Sequence, residues 1–214
     1  MSEFDKGGFV GPHEIHVSVS RETTDARLFK EVCGDLGVKA HVIFNEVPTG
    51  EIEVDYLTGS EINGRSGEAF TELGRIASGL RSEGLEVVRE KIETTPWHPI
   101  APKTSLDRLP PDTYFECHFT LPDLPTVHGY RALEWVGVPF LISTTENKKK
   151  AGLLFATMRH YISTAGAFVE NVNKIHQSLA LQIEDLKLPT IEFALYDSNP
   201  DHDKDWIDAY RKIY

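Results

Sequence analysis

One short pattern occurs twice in the chain, nearly half its length apart. Residues 14–19 (EIHVSV) and residues 116–121 (ECHFTL) both run Glu, any residue, His, apolar, hydroxyl, apolar. The two histidines, His16 and His118, are 102 positions apart in a chain of 214 residues. Because a repeat of this kind is typical of two similar units that pack together, it constrains the fold more than any single motif does.

The elements that follow each histidine are predicted to come in the same order. After His16, hydrophobic periodicity and turn residues predict a helix that ends at Gly37, strands at 40–45 and 52–56, a helix at 67–82 and a strand at 85–93. After His118 they predict a helix around 130–135, strands at 138–144 and 152–160, a helix at 165–184 and a strand at 190–197. Both orders are βαββαβ, the ferredoxin-like unit. The sequence therefore predicts an α+β fold of two tandem ferredoxin-like lobes, related by a pseudo-twofold axis, with open sheet faces that form a central cleft.

A proline-rich stretch separates the two predicted lobes. Residues 94–112 contain five of the twelve prolines of the chain, and proline can neither continue a helix nor lie in a central strand. We therefore expect lobes at 1–93 and 113–214, joined by a linker at 94–112. The acidic run that begins at Asp201 is typical of the start of a short C-terminal helix.

Charge and cysteine content narrow the classes of partner and location. The chain has 33 acidic against 22 basic side chains, a formal net charge of −11, so duplex nucleic acid and anionic membranes would be repelled. Its two cysteines cannot form a disulfide framework, and the sequence has neither a signal peptide pattern nor a run of about 18 apolar residues. We expect a cytoplasmic protein whose partner is a small anionic substrate, such as a nucleotide, enclosed in a locally basic pocket.

The repeated pattern places polar side chains on one face of each strand. Since side chains alternate along a strand, Glu14, His16 and Ser18 share a face. By the same alternation, the second copy presents Glu116, His118 and Thr120. Two imidazoles across one cleft could act as a general acid and a general base near neutral pH. In a βαββαβ sheet their neighbouring strands carry Lys91 and Arg159, which could supply the positive charge that an anionic ligand needs.

These two segments resemble the paired His-apolar-Ser/Thr-apolar signatures of the 2H phosphoesterase superfamily, whose members are metal-independent enzymes on duplicated folds. The resemblance implies a phosphodiesterase that acts on a cyclic phosphate or a 2′-5′ linked nucleotide and needs no cofactor. It implies that His16 and His118 are the catalytic acid and base. It also implies that Ser18 and Thr120 hold the phosphate.

Two alternatives remain open at the level of sequence. Glu14, His16, Glu116 and His118 together offer nitrogen and carboxylate ligands for zinc, iron or manganese, in a constellation similar to that of the paired-module vicinal oxygen chelate enzymes. The second alternative is a binding module without catalysis, in which the same polar rows recognise a small molecule or a protein.

Overall fold

The computed structural model describes residues 9–46, 52–122, 140–145, 149, 151–161 and 163–203. The strands in this part of the chain are β1 (Val10–Val19), β2 (Lys39–Glu46), β3 (Ile52–Arg65), β4 (Val87–Thr94), β5 (Tyr114–Pro122), β6 (Leu141–Thr145), β7 (Leu153–His160) and β8 (Thr190–Asp197). The helices are α1 (Ala26–Leu36), α2 (Ser66–Ser82) and α3 (Ala165–Ala180), and a 3₁₀ turn follows at Pro200–Asp203. The helices predicted around 130–135 and after Asp201 lie outside the described residues, apart from this turn.

The eight strands form one closed antiparallel barrel in the order β1-β3-β2-β6-β7-β5-β8-β4. The prediction of two tandem lobes with open sheet faces across a cleft is therefore wrong. Strand β2 pairs with β6, where Phe44 lies opposite Thr144, and strand β4 pairs with β8, where Lys91 lies opposite Asp197. These two ladders satisfy the backbone groups that free sheet edges would leave unpaired, so the barrel has no open edge at either seam.

Because the barrel is closed, one face of β1 and of β5 points outward to the helices and the other points into the barrel. Ile15, Val17 and Val19 are fully or almost fully buried on the outer side of β1, where helix α2 packs. The corresponding apolar row of β5 lies in the same hydrophobic core, near helix α3. The polar rows of both strands consequently point into the barrel.

Local sequence explains where α1 and α3 begin and where α1 ends, whereas α3 ends at Ala180 and not at the predicted 184. The Asp25 side chain accepts hydrogen bonds from the N–H groups of Arg27 and Leu28, the second and third residues of α1, and Gly37 ends that helix at φ 71°. The Thr164 side chain accepts a hydrogen bond from Ala167 N–H and caps α3. Within the described part of the chain, no helix is long and apolar enough to cross a membrane.

The proline-rich stretch runs over the barrel as the connection between β4 and β5. His98 and Ala101 are buried in it. The Pro102 carbonyl accepts a hydrogen bond of 2.8 Å from Ala165 N–H, at the start of α3. The stretch is thus tied to the second half of the chain.

Candidate functional site

The inside of the barrel holds a cavity of about 630 Å³ that both copies of the repeated pattern line. Each strand contributes at least one side chain to its wall, and two more come from the turn after β8. The charged and imidazole side chains of the wall are Glu14, His16, His41, Asp55, Arg89, Lys91, Glu93, Glu116, His118, Arg159, Glu192, His202 and Asp203. One closed barrel therefore gathers these side chains around a single internal cavity, instead of around a cleft between two lobes.

His16 is held by the neighbouring strand β3. Its Nδ1 lies 2.8 Å from the main-chain carbonyl of Thr58, which can only accept, so Nδ1 carries the proton of this bond. Its Nε2 lies 3.3 Å from Glu93 Oε2 and 3.5 Å from Glu14 Oε1. The neutral imidazole thus has its free lone pair on Nε2, beside the cavity.

His118 occupies the equivalent place in β5 with different partners. Its Nδ1 lies 2.8 Å from the Thr157 hydroxyl on strand β7. Its Nε2 lies 3.3 Å from both Glu116 Oε1 and Glu192 Oε2. Both histidines therefore share one arrangement, in which Nδ1 is anchored to the next strand and Nε2 faces carboxylates.

The carboxylates decide the protonation of the two imidazoles. Burial alone lowers the pKa of a histidine, but the hydrogen bond and charge of Glu93 outweigh it and raise the pKa of His16. At His118, burial is outweighed by Glu192 and Glu116, which raise the pKa to about 9. Burial and the charge of Glu93 in turn raise the pKa of Glu192. His118 is therefore mainly protonated at neutral pH and can donate a proton.

Three buried cations lie beside the histidines, and carboxylates contact each of them. Lys91 Nζ is 2.6 Å from Glu93 and 3.4 Å from Glu116. Arg159 Nε donates to Glu116 Oε2 at 2.7 Å, and its guanidinium stacks 4.4 Å from the centre of the Tyr114 ring. Burial opposes the charged form of Lys91, but Glu116 and Glu93 outweigh it and raise its pKa. Buried charges are tolerated here because each has an opposite partner.

Arg89 forms the most complete of these ion pairs. Its Nε and Nη2 donate to the two oxygens of Asp197 at 3.0 and 2.6 Å, and Nη2 also donates to the Tyr114 hydroxyl at 3.0 Å. Such a bidentate pair fixes both the position and the plane of the guanidinium. The carboxylate of Asp203 contacts Arg89 and Arg159 from the turn that follows β8.

The structure brings most of the predicted site residues together. His16, His118, Ser18, Lys91 and Arg159 all line the cavity, and so do the two glutamates of the alternative metal set, Glu14 and Glu116. Thr120 is different, because it is not among the residues that line the described cavity. The predicted strand neighbours are confirmed: the Cα of His16 lies opposite that of Lys91, and the Cα of His118 opposite that of Thr157.

Two carboxylates that contact the histidines were not among the predicted site residues. Glu93 contacts His16, and Glu192 contacts His118. Alternation along β4 does place Glu93 on the same face as Lys91, so that signal was present. No comparable signal identified Glu192, because its strand contains no second charged residue before Asp197.

A candidate metal centre beside His118 differs from the predicted one. Ligand atoms of Glu93, His118 and Glu192 all lie within 4.8 Å of one another. One imidazole nitrogen and two carboxylates form a donor set suited to zinc, iron or manganese. The predicted set of Glu14, His16, Glu116 and His118 does not form such a group among the described residues.

Comparisons with known proteins give the chain no family. No protein-family model matches the sequence, and a search of curated proteins finds no significant match. Among solved structures, the regulatory subunit of aspartate kinase from Thermus thermophilus is 13% identical, covers 79% of this chain and 93% of its own, and has a TM-score of 0.31. A putative monooxygenase from Lactobacillus acidophilus is 8% identical, covers 86% of this chain and 93% of its own, and has a TM-score of 0.26. At these scores neither similarity bears on fold or function.

Proposed function

We propose that this protein is a metal-independent phosphodiesterase that acts on a cyclic phosphate or a 2′-5′ linked nucleotide. The observation that carries the proposal is that His16 and His118, from the two copies of one pattern, line a single cavity inside the barrel. Each anchors Nδ1 to a neighbouring strand and directs Nε2 to carboxylates. This pairing suits acid–base catalysis, because a fixed imidazole can transfer a proton at a defined position.

The two histidines differ in a way that assigns their roles. His118 has a pKa of about 9 and holds its proton at neutral pH, so we assign it as the general acid. In its neutral form His16 keeps its proton on Nδ1 and leaves Nε2 as an acceptor, so we assign it as the general base. In hydrolysis, Nε2 of His16 takes a proton from water as the water oxygen bonds to phosphorus. The bond to the leaving oxygen breaks, and Nε2 of His118 donates a proton to that oxygen.

Charge in the cavity favours a substrate with one negative charge. Six carboxylates line the described cavity against three permanent cations, Arg89, Lys91 and Arg159. With His118 protonated as well, the cavity wall keeps two more negative than positive charges, so a substrate with fewer negative charges is repelled less. A phosphodiester carries one negative charge, whereas a phosphate monoester carries about −1.5 to −2 at pH 7. This excess of negative charge would therefore favour release of the monoester product over release of the diester substrate.

Hydrolysis of a panel of 2′,3′-cyclic nucleotides and 2′-5′ dinucleotides tests this function. Wild-type protein in the presence of EDTA should turn over at least one member. His16→Ala and His118→Ala should each lower kcat by about 10²- to 10⁴-fold, the usual contribution of one acid or base. His176→Ala, on the outer helix α3, is the matched control. Loss of ligand binding without any turnover in wild type would instead indicate a binding module.

A divalent metal centre is a second candidate function, favoured by the cluster of Glu93, His118 and Glu192. Purified protein reconstituted with zinc, iron or manganese would then retain about one equivalent after dialysis. Glu192→Gln would lose this metal, since an amide is a weaker ligand than a carboxylate. Less than a tenth of an equivalent in wild type would exclude the candidate. Turnover that persists in EDTA would favour the metal-independent reaction.

We also propose a cytoplasmic location. Its support is that both cysteines, Cys33 and Cys117, are free thiols buried in the core. Burial raises the pKa of the Cys33 thiol to about 11, so little reactive thiolate forms. Imaging of a tagged protein tests the location.

A further inference from the structure

The turn at Pro200–Asp203 extends one side chain into the barrel. A single oxygen of Asp203, Oδ2, accepts hydrogen bonds from Arg89 Nη1 at 3.1 Å and from Arg159 Nη2 at 2.9 Å. The preceding His202 has its Nε2 3.5 Å from Asp55 Oδ1 on strand β3. Both His202 and Asp203 line the cavity. The turn thus contributes a carboxylate to the two arginines without being part of any strand.

Each arginine already has a carboxylate partner from a barrel strand. Arg89 forms its bidentate pair with Asp197 on β8, and Arg159 donates to Glu116 on β5. Both arginines are more than nine-tenths buried. Asp203 is therefore an additional anion placed between two guanidinium groups, and its side chain is 12% exposed where those of its partners are 8% and 4%.

We propose that Arg89 and Arg159 form an anion-binding subsite for a phosphate or carboxylate group, and that Asp203 occupies this subsite until a ligand displaces it. Guanidinium groups bind carboxylate and phosphate oxygens with the same planar geometry, so one oxyanion can replace the other. The exchange also preserves the local charge. Asp197 and Glu116 stay in place throughout, because the closed barrel fixes their strands.

An anion that binds the subsite competes with the Asp203 carboxylate for Arg89 and Arg159. A ligand must break the two hydrogen bonds to Asp203 before it can form its own, so wild type binds it more weakly than a protein without this carboxylate. The subsite relies on the proposed phosphodiesterase function only for the identity of the natural ligand. Binding of a simple anion can therefore be measured even if no substrate is ever turned over.

Calorimetric titration of the full-length protein with inorganic phosphate tests the subsite. Asp203→Asn keeps the shape of the side chain but removes its charge, and it should bind phosphate about tenfold more tightly than wild type. Asp201→Asn, an exposed position in the same turn, is the matched control and should bind as wild type does. Adding Arg89→Gln to the Asp203→Asn variant should abolish the gain.

A second measurement covers the case in which Asp203→Asn does not fold. In wild type, His202 N–H donates to the Asn199 carbonyl at 3.0 Å within the turn. Saturating phosphate should speed hydrogen exchange at this amide, because the turn loses its hold on the arginines. The proposal is overturned if folded Asp203→Asn binds phosphate no more tightly than wild type, or if exchange at His202 stays unchanged in wild type saturated with phosphate.

Discussion

At the scale of single residues, the two cavity histidines are equivalent in position but not in how they are anchored. A main-chain carbonyl fixes the Nδ1 proton of His16, so no side-chain substitution at Thr58 removes that bond directly. A hydroxyl can either donate or accept, so Thr157 leaves the tautomer of His118 adjustable. The fixed tautomer of His16 suits a base, because Nε2 always carries the lone pair of the neutral ring. The adjustable tautomer of His118 suits an acid, which alternates between the protonated and the neutral imidazole.

The assigned roles predict a bell-shaped pH profile. Catalysis requires His16 neutral and His118 protonated, so kcat/KM should rise as pH passes the elevated pKa of His16 and fall near pH 9 as His118 loses its proton. The profile is measured on whichever substrate of the panel is hydrolysed. Glu192→Gln removes a carboxylate that raises the pKa of His118, so the basic limb should move to lower pH. A basic limb that stays in place would contradict the assignment of His118.

Thr58 has a second role that a substitution can test. Its hydroxyl accepts a hydrogen bond of 2.8 Å from the buried Val17 N–H. Thr58→Val keeps the size of the side chain but leaves this donor unpaired, which should lower the free energy of unfolding by about 1–3 kcal/mol. Urea denaturation measures the loss. Thr71→Val, whose hydroxyl lies on the exposed side of α2, should change stability by less than about 0.5 kcal/mol. Equal effects at the two positions would be evidence against the role of Thr58.

The sequence predicted which residues share a face but not which partners they meet. Alternation was enough to place Glu14, His16 and Ser18 on the polar side of β1. The contact of His118 with Glu192 depends on the pairing of β5 with β8, which are far apart in the chain. Asp203 was still less accessible to prediction, since it lies in a turn and no periodic pattern applies there.

At the scale of secondary structure elements, a chain of hydrogen bonds joins β1, α2 and the proline-rich connection. His13 Nδ1 donates to the Gly11 carbonyl, so its Nε2 accepts from Ser66 Oγ at 3.3 Å. His98 Nδ1 accepts from Ile100 N–H, so its Nε2 donates to the same hydroxyl at 3.2 Å. Every donor meets an acceptor only when both histidines are neutral.

This chain of bonds predicts that stability falls in mild acid. Burial lowers the pKa of His13, and burial together with the nearby His13 lowers the pKa of His98 to about 4. A histidine whose pKa is lowered by folding stabilises the protein fully above pH 6.5, and this contribution is lost as pH falls from 6.5 toward 4. His98→Gln keeps an amide that can hydrogen-bond Ser66 but cannot take a proton. Its unfolding free energy should therefore depend less on pH than that of wild type in this range.

Denaturation of both proteins at pH 7, 6, 5 and 4 checks this prediction. The informative quantity is the difference between wild type and variant in the slope of unfolding free energy against pH, because other titrating groups contribute equally to both proteins. His176→Gln, which alters a partly exposed histidine on α3, serves as the control and should follow wild type. Parallel curves for wild type and His98→Gln would show that His98 does not titrate with folding.

Helices and strands were more predictable than their assembly. The helix predicted at 67–82 is found at Ser66–Ser82, and the strand predicted at 190–197 is found at Thr190–Asp197. Capping residues and periodicity act within a few residues, so they can be read from the sequence itself. Strand β3 was predicted at 52–56 but extends to Arg65, because its second half alternates less clearly between polar and apolar residues.

At the scale of the whole molecule, the closed barrel explains why the predicted arrangement was wrong. An open sheet with one polar face and a barrel with a polar interior show the same alternation along every strand. They differ only in whether β2 meets β6 and β4 meets β8, and those pairs join strands from opposite halves of the chain. Closure replaces a cleft between two lobes with a cavity inside one barrel, which sets the histidines among buried carboxylates.

A disulfide across one seam tests this closure directly. Phe44 and Thr144 are Cα partners in the pairing of β2 with β6, and both alternate with side chains that line the cavity. Paired strands place such positions about 4.5–5.5 Å apart, which is within the range of a disulfide. Cysteines at both positions should therefore oxidise to an intramolecular bond that closes a loop of roughly 100 residues. In the chain-entropy description, this loop raises the free energy of unfolding by about 5 kcal/mol.

Non-reducing electrophoresis and urea denaturation of the oxidised and reduced double variant measure the effect. The single variants Phe44→Cys and Thr144→Cys control for the loss of each side chain, and the native Cys33 and Cys117 are too buried to compete. Two sheets that meet only across a cleft would leave these positions on separate edges. In that case the double variant would stay reduced or would form disulfides between molecules. A disulfide within one molecule, together with the expected gain in stability, requires the β2–β6 seam to be closed.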